Sequence, residues 1–329
     1  MRPATLTEAA RAMGARPPDS HANALVGGAA IDSRKVREGD LFFAMRGRTD
    51  GADFAPEAHL RGAVATVATQ RLDVPTLVVD DALEALQKLA RWTLVRPDAP
   101  SPTVVGITGT VGKTTTKDAL ATILRHSGKR VSATAGNLNN EIGLPLTVLS
   151  ADPRTEVLVL EMGATHAGDI EHLCGIAPPG IGILTAISPV HLDSFGSLEG
   201  LAAAKGELAL ALPDLGSLIA PAGAPERAIR PGRKLGRRIT FARDRDADLV
   251  ASGIEGTEEG LRFVATIDNE SAVVRSPVFG THLVEPLLAS LGGALALGLD
   301  LPTAARGLSR LRRTGPCSLR PARQLRPPM

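Results

Sequence analysis

The residues best suited to chemistry lie in one stretch, Thr103-Val-Val-Gly-Ile-Thr-Gly-Thr-Val-Gly-Lys-Thr-Thr-Thr-Lys117. Val104, Val105 and Ile107 form a β-branched run suited to a buried strand, and Ala119, Leu120, Ile123 and Leu124 repeat at helical spacing. Between them the chain turns through Gly109, Thr110, Val111 and Gly112. A glycine-rich turn from a strand into a helix cradles phosphate: backbone N–H groups converge on the anion and the helix dipole favours negative charge. Lys113 adds a full positive charge, Thr114 is placed to offer its hydroxyl to a magnesium ion, and Thr115 closes the segment. The spacing G-x-x-x-x-G-K-[ST] is narrowly missed, because Ile107 stands where the first glycine would fall. The shorter T-G-T-x-G-K-T is complete.

Further candidates lie both upstream and downstream of this loop. Glu161 follows the apolar run Val157-Leu-Val-Leu160, where it is either a magnesium ligand or a capping or paired acid. Asn137, Asn139 and Asn140 sit between glycines in Gly136-Asn-Leu-Asn-Asn-Glu-Ile-Gly-Leu-Pro145, as ligand contacts or as an Asx-turn loop. His191 follows a strand-like run, with Asp193 two residues on. Lys205 lies in the alanine- and leucine-rich Ser197–Leu210 stretch and by itself reads as a surface lysine. Asp32-Ser33-Arg34 either presents a hydroxyl and a guanidinium to an anion or forms a solvated turn with an ion pair.

These residues need a scaffold. From Thr103 onward, short apolar runs at 104–107, 131–133, 157–160 and 182–185 alternate with helical stretches, which predicts parallel strands with helical crossovers. Sites in such sheets gather at the carboxyl ends of the strands, where the phosphate loop, the asparagines, Glu161 and His191 all fall. Runs at 239–242, 249–254, 261–267 and 272–276 predict a small antiparallel sheet, and Gly280–Gly298 and 302–311 predict helices. Upstream, a mixed α/β pattern runs from a helix at 6–13 to one starting at Asp81, and Arg96-Pro-Asp-Ala-Pro-Ser-Pro102 is a linker by its prolines. The expected division is therefore 1–100, 101–313 and an Arg/Pro-rich disordered tail at 314–329. At 329 residues, more than one domain is the prior. A net charge of +2 and 2% aromatic content argue against a nucleic-acid surface, and no apolar run is long enough for a membrane span. Two distant cysteines, Cys174 and Cys317, suggest neither a disulfide framework nor a zinc site, and a reducing cytoplasm suits them.

Taken together and in order, Thr108-Gly-Thr-Val-Gly-Lys-Thr-Thr-Thr-Lys117, Gly136–Pro145, Leu160-Glu-Met-Gly-Ala164, His191-Leu-Asp-Ser-Phe-Gly-Ser197 and Ala204-Lys-Gly-Glu-Leu208 resemble the Mur ligases of peptidoglycan synthesis. Asp32-Ser-Arg34, Asp40-Leu-Phe-Phe-Ala44 and Asp50-Gly51 look most like the branch that joins D-alanyl-D-alanine to UDP-MurNAc-tripeptide. The resemblance implies an N-terminal UDP-substrate domain and a central phosphate-loop ATPase domain. ATP would phosphorylate the peptide carboxylate, and the amine of D-Ala-D-Ala would attack the acyl phosphate. Gly109 to Thr115 would bind ATP. Thr114, Glu161, His191 and Lys205 would surround two magnesium ions, with His191 at the second. Lys205 matches the lysine that the family carbamylates. Lys113, Lys205 and His191 would carry catalysis. Asp32, Ser33 and Arg34 would face the UDP part of the substrate, with Asn137, Asn139 and Asn140 at the sugar-peptide part. A monomer is expected.

Two departures stand out. Pro286 occupies the place of an asparagine that reads adenine in the family, so that amide contact is expected to be lost. The family's third, Rossmann-like domain is expected to be absent, and the 314–329 segment has the character of a shifted reading frame in GC-rich DNA. Competing readings are a binding module without ligase turnover, another ligase of the superfamily, and a general phosphate-loop kinase or GTPase. The asparagine loop speaks against another ligase, and no guanine-reading Asn-Lys-x-Asp motif supports a GTPase.

Overall fold

The computed structural model describes residues 1–16, 21–47, 49–98, 100–189, 195–243 and 246–311. The 314–329 tail, with Cys317, and His191 and Asp193 lie outside the described residues.

Near the start, β1 (Ala4–Thr5) pairs antiparallel with β2 (Leu25–Val26). Between them runs α1 (Leu6–Met13), whose first turn is fixed reciprocally: the Thr5 hydroxyl accepts from the Glu8 N–H and the Glu8 carboxylate accepts from the Thr5 N–H. A parallel sheet follows in the order β3 (Gly28–Ala30), β4 (Asp40–Phe43), β5 (Ala65–Ala68) and β6 (Thr76–Val78). Helices α2 (Ala55–Leu60) and α3 (Ala82–Val95) accompany it, the latter capped by Asp81 as the sequence predicts.

The second sheet has nine strands in the order β15-β14-β13-β12-β11-β10-β7-β9-β8. Its members are β7 (Thr103–Thr108), β8 (Val131–Ala133), β9 (Val157–Glu161), β10 (Ile181–Leu184), β11 (Ser217–Pro221), β12 (Arg237–Arg243), β13 (Leu249–Thr257), β14 (Gly260–Ile267) and β15 (Glu270–Ser276). Neighbours from β8 through to β13 pair parallel, whereas β13, β14 and β15 pair antiparallel. Of the four runs expected to form a small antiparallel sheet, 249–254, 261–267 and 272–276 pair antiparallel as an extension of the parallel sheet, whereas 239–242 lies in β12 and pairs parallel on both sides. Phe241 of β12 registers with Leu249 of β13, so the hydrogen-bond ladder never breaks. Alternating strand patterns carry no information about which neighbour continues a ladder.

Helices cover both faces: α4 (Lys113–His126), α5 (Gly143–Leu149), α6 (Asp169–Ile176), α7 (Leu198–Leu210), α8 (Glu226–Ile229), α9 (Val284–Ala296) and α10 (Leu301–Leu308). The strand alternation assigns the faces. Val105 and Ile107 of β7 join one core with α4, α9 and α10, through Leu120, Ile123, Leu287 and Leu308. Val104 joins the other, with Leu158 and Leu160 of β9, Leu144 of α5 and Leu173 of α6. That second core also holds Leu86 and Leu89 of α3 together with Leu41, Phe43 and Val67 of the four-stranded sheet. The two sheets therefore share one apolar layer, with α3 inside it. Gly106 of β7 permits close approach here, since a Cβ would stand 2.9 Å from Leu208 Cδ1.

Leu89 is fully buried in this shared layer. Leu89→Ala is expected to lower the unfolding free energy by about 2–5 kcal/mol in urea titration. A loss below about 1 kcal/mol would show that α3 does not weld the two sheets.

Candidate functional site

Where β7 ends, the chain turns through Gly109 at φ +142° and Gly112 at φ +88°, backbone that only glycine adopts at low cost. Gly109 is also sterically required, because a Cβ would stand 2.2 Å from Thr185 Oγ1. The neighbouring strand pins the loop. Thr185 donates its hydroxyl to the Val111 carbonyl at 2.6 Å, and Thr110 N–H donates to the Ala186 carbonyl at 2.9 Å. Helix α4 then begins at Lys113, with no side-chain cap on its first N–H groups. Donors so placed at a helix start can meet an anion. Val111, at the loop tip, is exposed, and Thr115 is half-buried.

Lys113 folds back onto its own loop, with Nζ donating to the carbonyls of Gly109 at 2.7 Å and Thr110 at 3.2 Å. Burial lowers its pKa from the ordinary lysine value, and the nearby Glu161 carboxylate partly offsets this. Thr114 donates its hydroxyl to Glu161 Oε2 at 2.9 Å. The other oxygen of the same carboxylate accepts from Asn139 Nδ2 at 2.9 Å. Glu161 N–H donates to Thr134 Oγ1 at 3.0 Å, and Lys117 Nζ donates to the Thr134 carbonyl at 2.8 Å. Glu161 thus links the phosphate loop and the asparagine loop through its carboxylate, and the end of β8 through its backbone N–H.

The three asparagines separate in role. Asn139 holds Glu161, whereas Asn140 turns its Oδ1 onto the Gly143 N–H at 2.9 Å and starts α5. Asn137 is exposed. Their loop divides two cavities. One, of about 770 Å³, is lined by Gly109, Lys113, Asn139, Asp169, Phe195 and Lys205 among others. The second, of about 1200 Å³, is bounded by Leu138 on one side and by Ser33, Arg34, Lys35, Arg37 and Phe54 on the other.

Lys205 is 3% exposed, which overturns its reading as a surface lysine. Helix α7 is apolar around its circumference and buries most of its residues, taking the lysine in with them. Its ammonium donates to the Ala164 carbonyl at 3.3 Å and lies 5.4 Å above the Phe195 ring. Burial, reinforced by the charge of Lys113, brings its pKa down to about 8, with Asp169 and Glu207 opposing the shift.

At the wall of the larger cavity, Asp32 and Arg34 form an ion pair at 2.9 Å, which is the solvated-turn alternative of the sequence reading. Hydrogen bonding from Arg34 holds the Asp32 carboxyl down at about 2. Ser33 is buried and donates to Glu57 Oε2 at 2.6 Å. Pro286 packs against the phosphate loop, its carbonyl accepting from Thr116 Oγ1 at 3.2 Å. Sequence reasoning missed Thr134, Phe195 and Thr185, all of which act through contacts distant in sequence. The available signal for Thr134 was its place directly after the Val131–Ala133 strand.

Magnesium prefers hard oxygen ligands and commonly takes one or two from protein, the rest from phosphate and water. Thr114 and Glu161 supply such a pair beside the loop, so the residues present fit the ion. Among the described residues, no group of three or more His, Cys, Asp and Glu side chains could hold a metal by itself.

Comparison with known proteins gives consistent matches. A model of the Mur ligase middle domain matches residues 107–294, and one of the Mur ligase family catalytic domain matches residues 26–92. The chain is 35% identical over 316 residues to the UDP-N-acetylmuramoyl-tripeptide–D-alanyl-D-alanine ligase of Mycobacterium tuberculosis (strain ATCC 25618 / H37Rv), covering 89% of this chain and 62% of that relative. The Escherichia coli (strain K12) protein of the same name is 35% identical over 288 residues, covering 85% and 62%. The chain therefore spans less than two thirds of the length of these curated relatives. Among solved structures, MurF from Acinetobacter baumannii superposes with a TM-score of 0.85 at 28% identity, covering 95% of this chain and 68% of the other. MurF ligase from Thermotoga maritima in complex with ADP gives 0.76 at 31% identity, covering 87% and 66%.

The buried ammonium of Lys205 has a measurable consequence. Unfolded, the lysine keeps its proton up to about 10.5, whereas folded it releases it near 8. Between those values the unfolded chain binds more protons, so stability rises with pH. In carbonate-free buffer, the unfolding free energy of the wild type minus that of Lys205→Met is expected to climb from pH 8 to 10.5. A flat difference would mean that the ammonium is solvated.

Proposed function

The chain belongs to the Mur ligase family, and from that premise we propose that it serves ATP-dependent joining of D-alanyl-D-alanine to UDP-MurNAc-tripeptide. The observation that carries the reading is the Glu161 carboxylate, hydrogen-bonded to Thr114 of the phosphate loop and to Asn139 at the edge of the cavity that Lys205 lines. It supports a reading in which the loop takes the anion, the carboxylate a cation and the cavity a substrate, all within one another's reach. The ADP complex of the Thermotoga maritima relative supports an adenine nucleotide as the ligand of Gly109–Thr115.

In this reading the free N–H groups of α4 and Lys113 bind the ATP phosphates, and Lys113 exchanges its two loop carbonyls for phosphate oxygens. Thr114 and Glu161 would hold magnesium, which when bound would neutralise charge on the transferring phosphoryl group. The peptide carboxylate takes the γ-phosphoryl, ADP leaves, and the amine of D-Ala-D-Ala attacks the acyl carbon. Phosphate then departs as the amide forms. Asn139 keeps Glu161 oriented. Arg34, Lys35 and Arg37 line the 1200 Å³ cavity and suit the pyrophosphate of the UDP moiety, which divides the labour between residues 1–100 and 101–313. Arg34 would then leave Asp32 for the ligand, while Asn137 and Asn140 stay beside the sugar-peptide.

Lys205 is the residue proposed for carbamylation. With its pKa at about 8, a sizeable neutral fraction exists near neutral pH. The neutral amine adds CO₂, releasing a proton and leaving a carbamate anion. That anion is attracted to Lys113, where the ammonium is repelled. His191 is proposed for a second magnesium by its family motif alone.

Release of ADP and phosphate is expected only when ATP, magnesium, UDP-MurNAc-tripeptide and D-Ala-D-Ala are all present. Lys113→Ala should lower turnover by about 100-fold or more. Lys205→Ala should abolish it, with partial rescue by short carboxylic acids. Tight binding of the UDP-peptide with no turnover would make the chain a binding module. ATP hydrolysis indifferent to both acceptors would sink the ligase reading.

A further inference from the structure

Lys117 stands on α4 one turn beyond Lys113 and Thr114, buried, and lines neither of the two large cavities. Its ammonium donates to the Thr134 carbonyl at 2.8 Å and lies 3.0 Å from Asp118 Oδ1. Asp118 is the next residue of the same helix, so that ion pair joins α4 to nothing else. A buried ammonium costs far more than an apolar side chain of similar length, which would fill the space between α4 and the sheet as well. What the charged side chain adds is the bond to Thr134.

Thr134 passes that bond on. Its N–H donates to the Val159 carbonyl at 3.0 Å, and its hydroxyl oxygen accepts the Glu161 N–H at 3.0 Å. The contacts close a ring. Helix α4 carries Thr114 and Lys117, Lys117 holds Thr134, Thr134 holds the Glu161 backbone, and the Glu161 carboxylate returns to Thr114. Only the last link uses oxygens that a magnesium ion would take. An ion held by Thr114 and Glu161 would compete with the hydrogen bond that joins them at 2.9 Å. The Lys117–Thr134 bond uses neither oxygen, so it would persist as a polar tie between α4 and the end of β9.

We propose that Lys117 is a positioning residue for magnesium: through Thr134 it keeps Thr114 and Glu161 in register once the bond between them is given up. The proposal rests on the reading of Thr114 and Glu161 as magnesium ligands. The test is calorimetric titration of the full chain with ADP, once with magnesium and once with EDTA. The quantity read is the gain in ADP affinity that the ion brings. The wild type is expected to show a gain that Glu161→Gln removes. Lys117→Met should bind ADP in EDTA as the wild type does and lose about tenfold or more of the gain. Lys117→Arg, which can still donate to the Thr134 carbonyl, should keep most of it. Thr134→Val should lower the gain too, and the double variant should fall no further than the worse single one, as a single path requires. If Lys117→Met does not fold, Thr134→Val and Lys117→Arg read the same path. A full gain in Lys117→Met or, failing that variant, in Thr134→Val overturns the proposal and leaves the magnesium ligands standing. So does an equal loss of ADP affinity with and without the ion, which a merely structural lysine would give. If the wild type shows no gain, or Glu161→Gln keeps it, the magnesium reading itself falls and takes the proposal with it.

Discussion

The site depends on one buried carboxylate. Glu161 is 3% exposed, and an ion in that position is tolerable only when its lone pairs are met. The Thr114 hydroxyl and the Asn139 amide meet them from two different loops. Neither loop is fixed by its own local geometry in the required place. The parallel register that sets Ile107 opposite Glu161 delivers the carboxylate to the mouth of the phosphate loop. A slip of one residue would turn Glu161 to the other face and leave Thr114 without its partner. Lys117 extends the same logic one shell outward: its ammonium is tied to the Thr134 carbonyl and to Asp118, and Thr134 accepts the Glu161 N–H.

The shared apolar layer does for the two cavities what Glu161 does for the loops. Leu86 and Leu89 of α3 pack between the four-stranded sheet and the nine-stranded one. The same helix presents Glu84 and Gln87 to the 770 Å³ cavity, and Gln87 donates to the Glu141 carbonyl at 3.1 Å, in the asparagine-loop segment. The wall between the cavities is thus held from the N-terminal side as well as from the sheet below. A substrate whose one end lies at Arg34 and whose other end reaches Lys113 would cross that wall near Leu138 and Asn139.

What could be read in the sequence follows the range of the forces involved. The phosphate loop was legible because its determinants are local: two glycines at left-handed or extended positive φ, a β-branched strand before them and a helical repeat after. Strand β8 and helix α1 fall where pattern places them, for the same reason. The asparagine loop was only half legible. Identical residues at 139 and 140 take opposite roles, one bonding Glu161 and the other starting α5, and only the tertiary approach of β9 decides between them. The antiparallel strands were recognisable as strands, but their attachment to β12 is a long-range pairing that alternation does not encode. For Lys205 the signal was present and outweighed: an alanine- and leucine-rich helix with no polar stripe must be buried, and its lysine with it.

That burial sets a condition on the finished site. Lys113 and Lys205 both line one cavity and raise each other's cost of being charged, and each is partly stripped of water. Glu161 answers Lys113, while Asp169 and Glu207 only partly answer Lys205. Glu207 is committed elsewhere, accepting the Gly168 N–H at 2.7 Å and the Glu171 N–H at 3.0 Å at the start of α6. The two ammonium groups are therefore left with a local positive potential that an anion relieves. Phosphate oxygens at the loop would relieve it at Lys113. At Lys205 a change of sign on the nitrogen itself would relieve it, converting the least favourable charge in the cavity into a ligand for a cation.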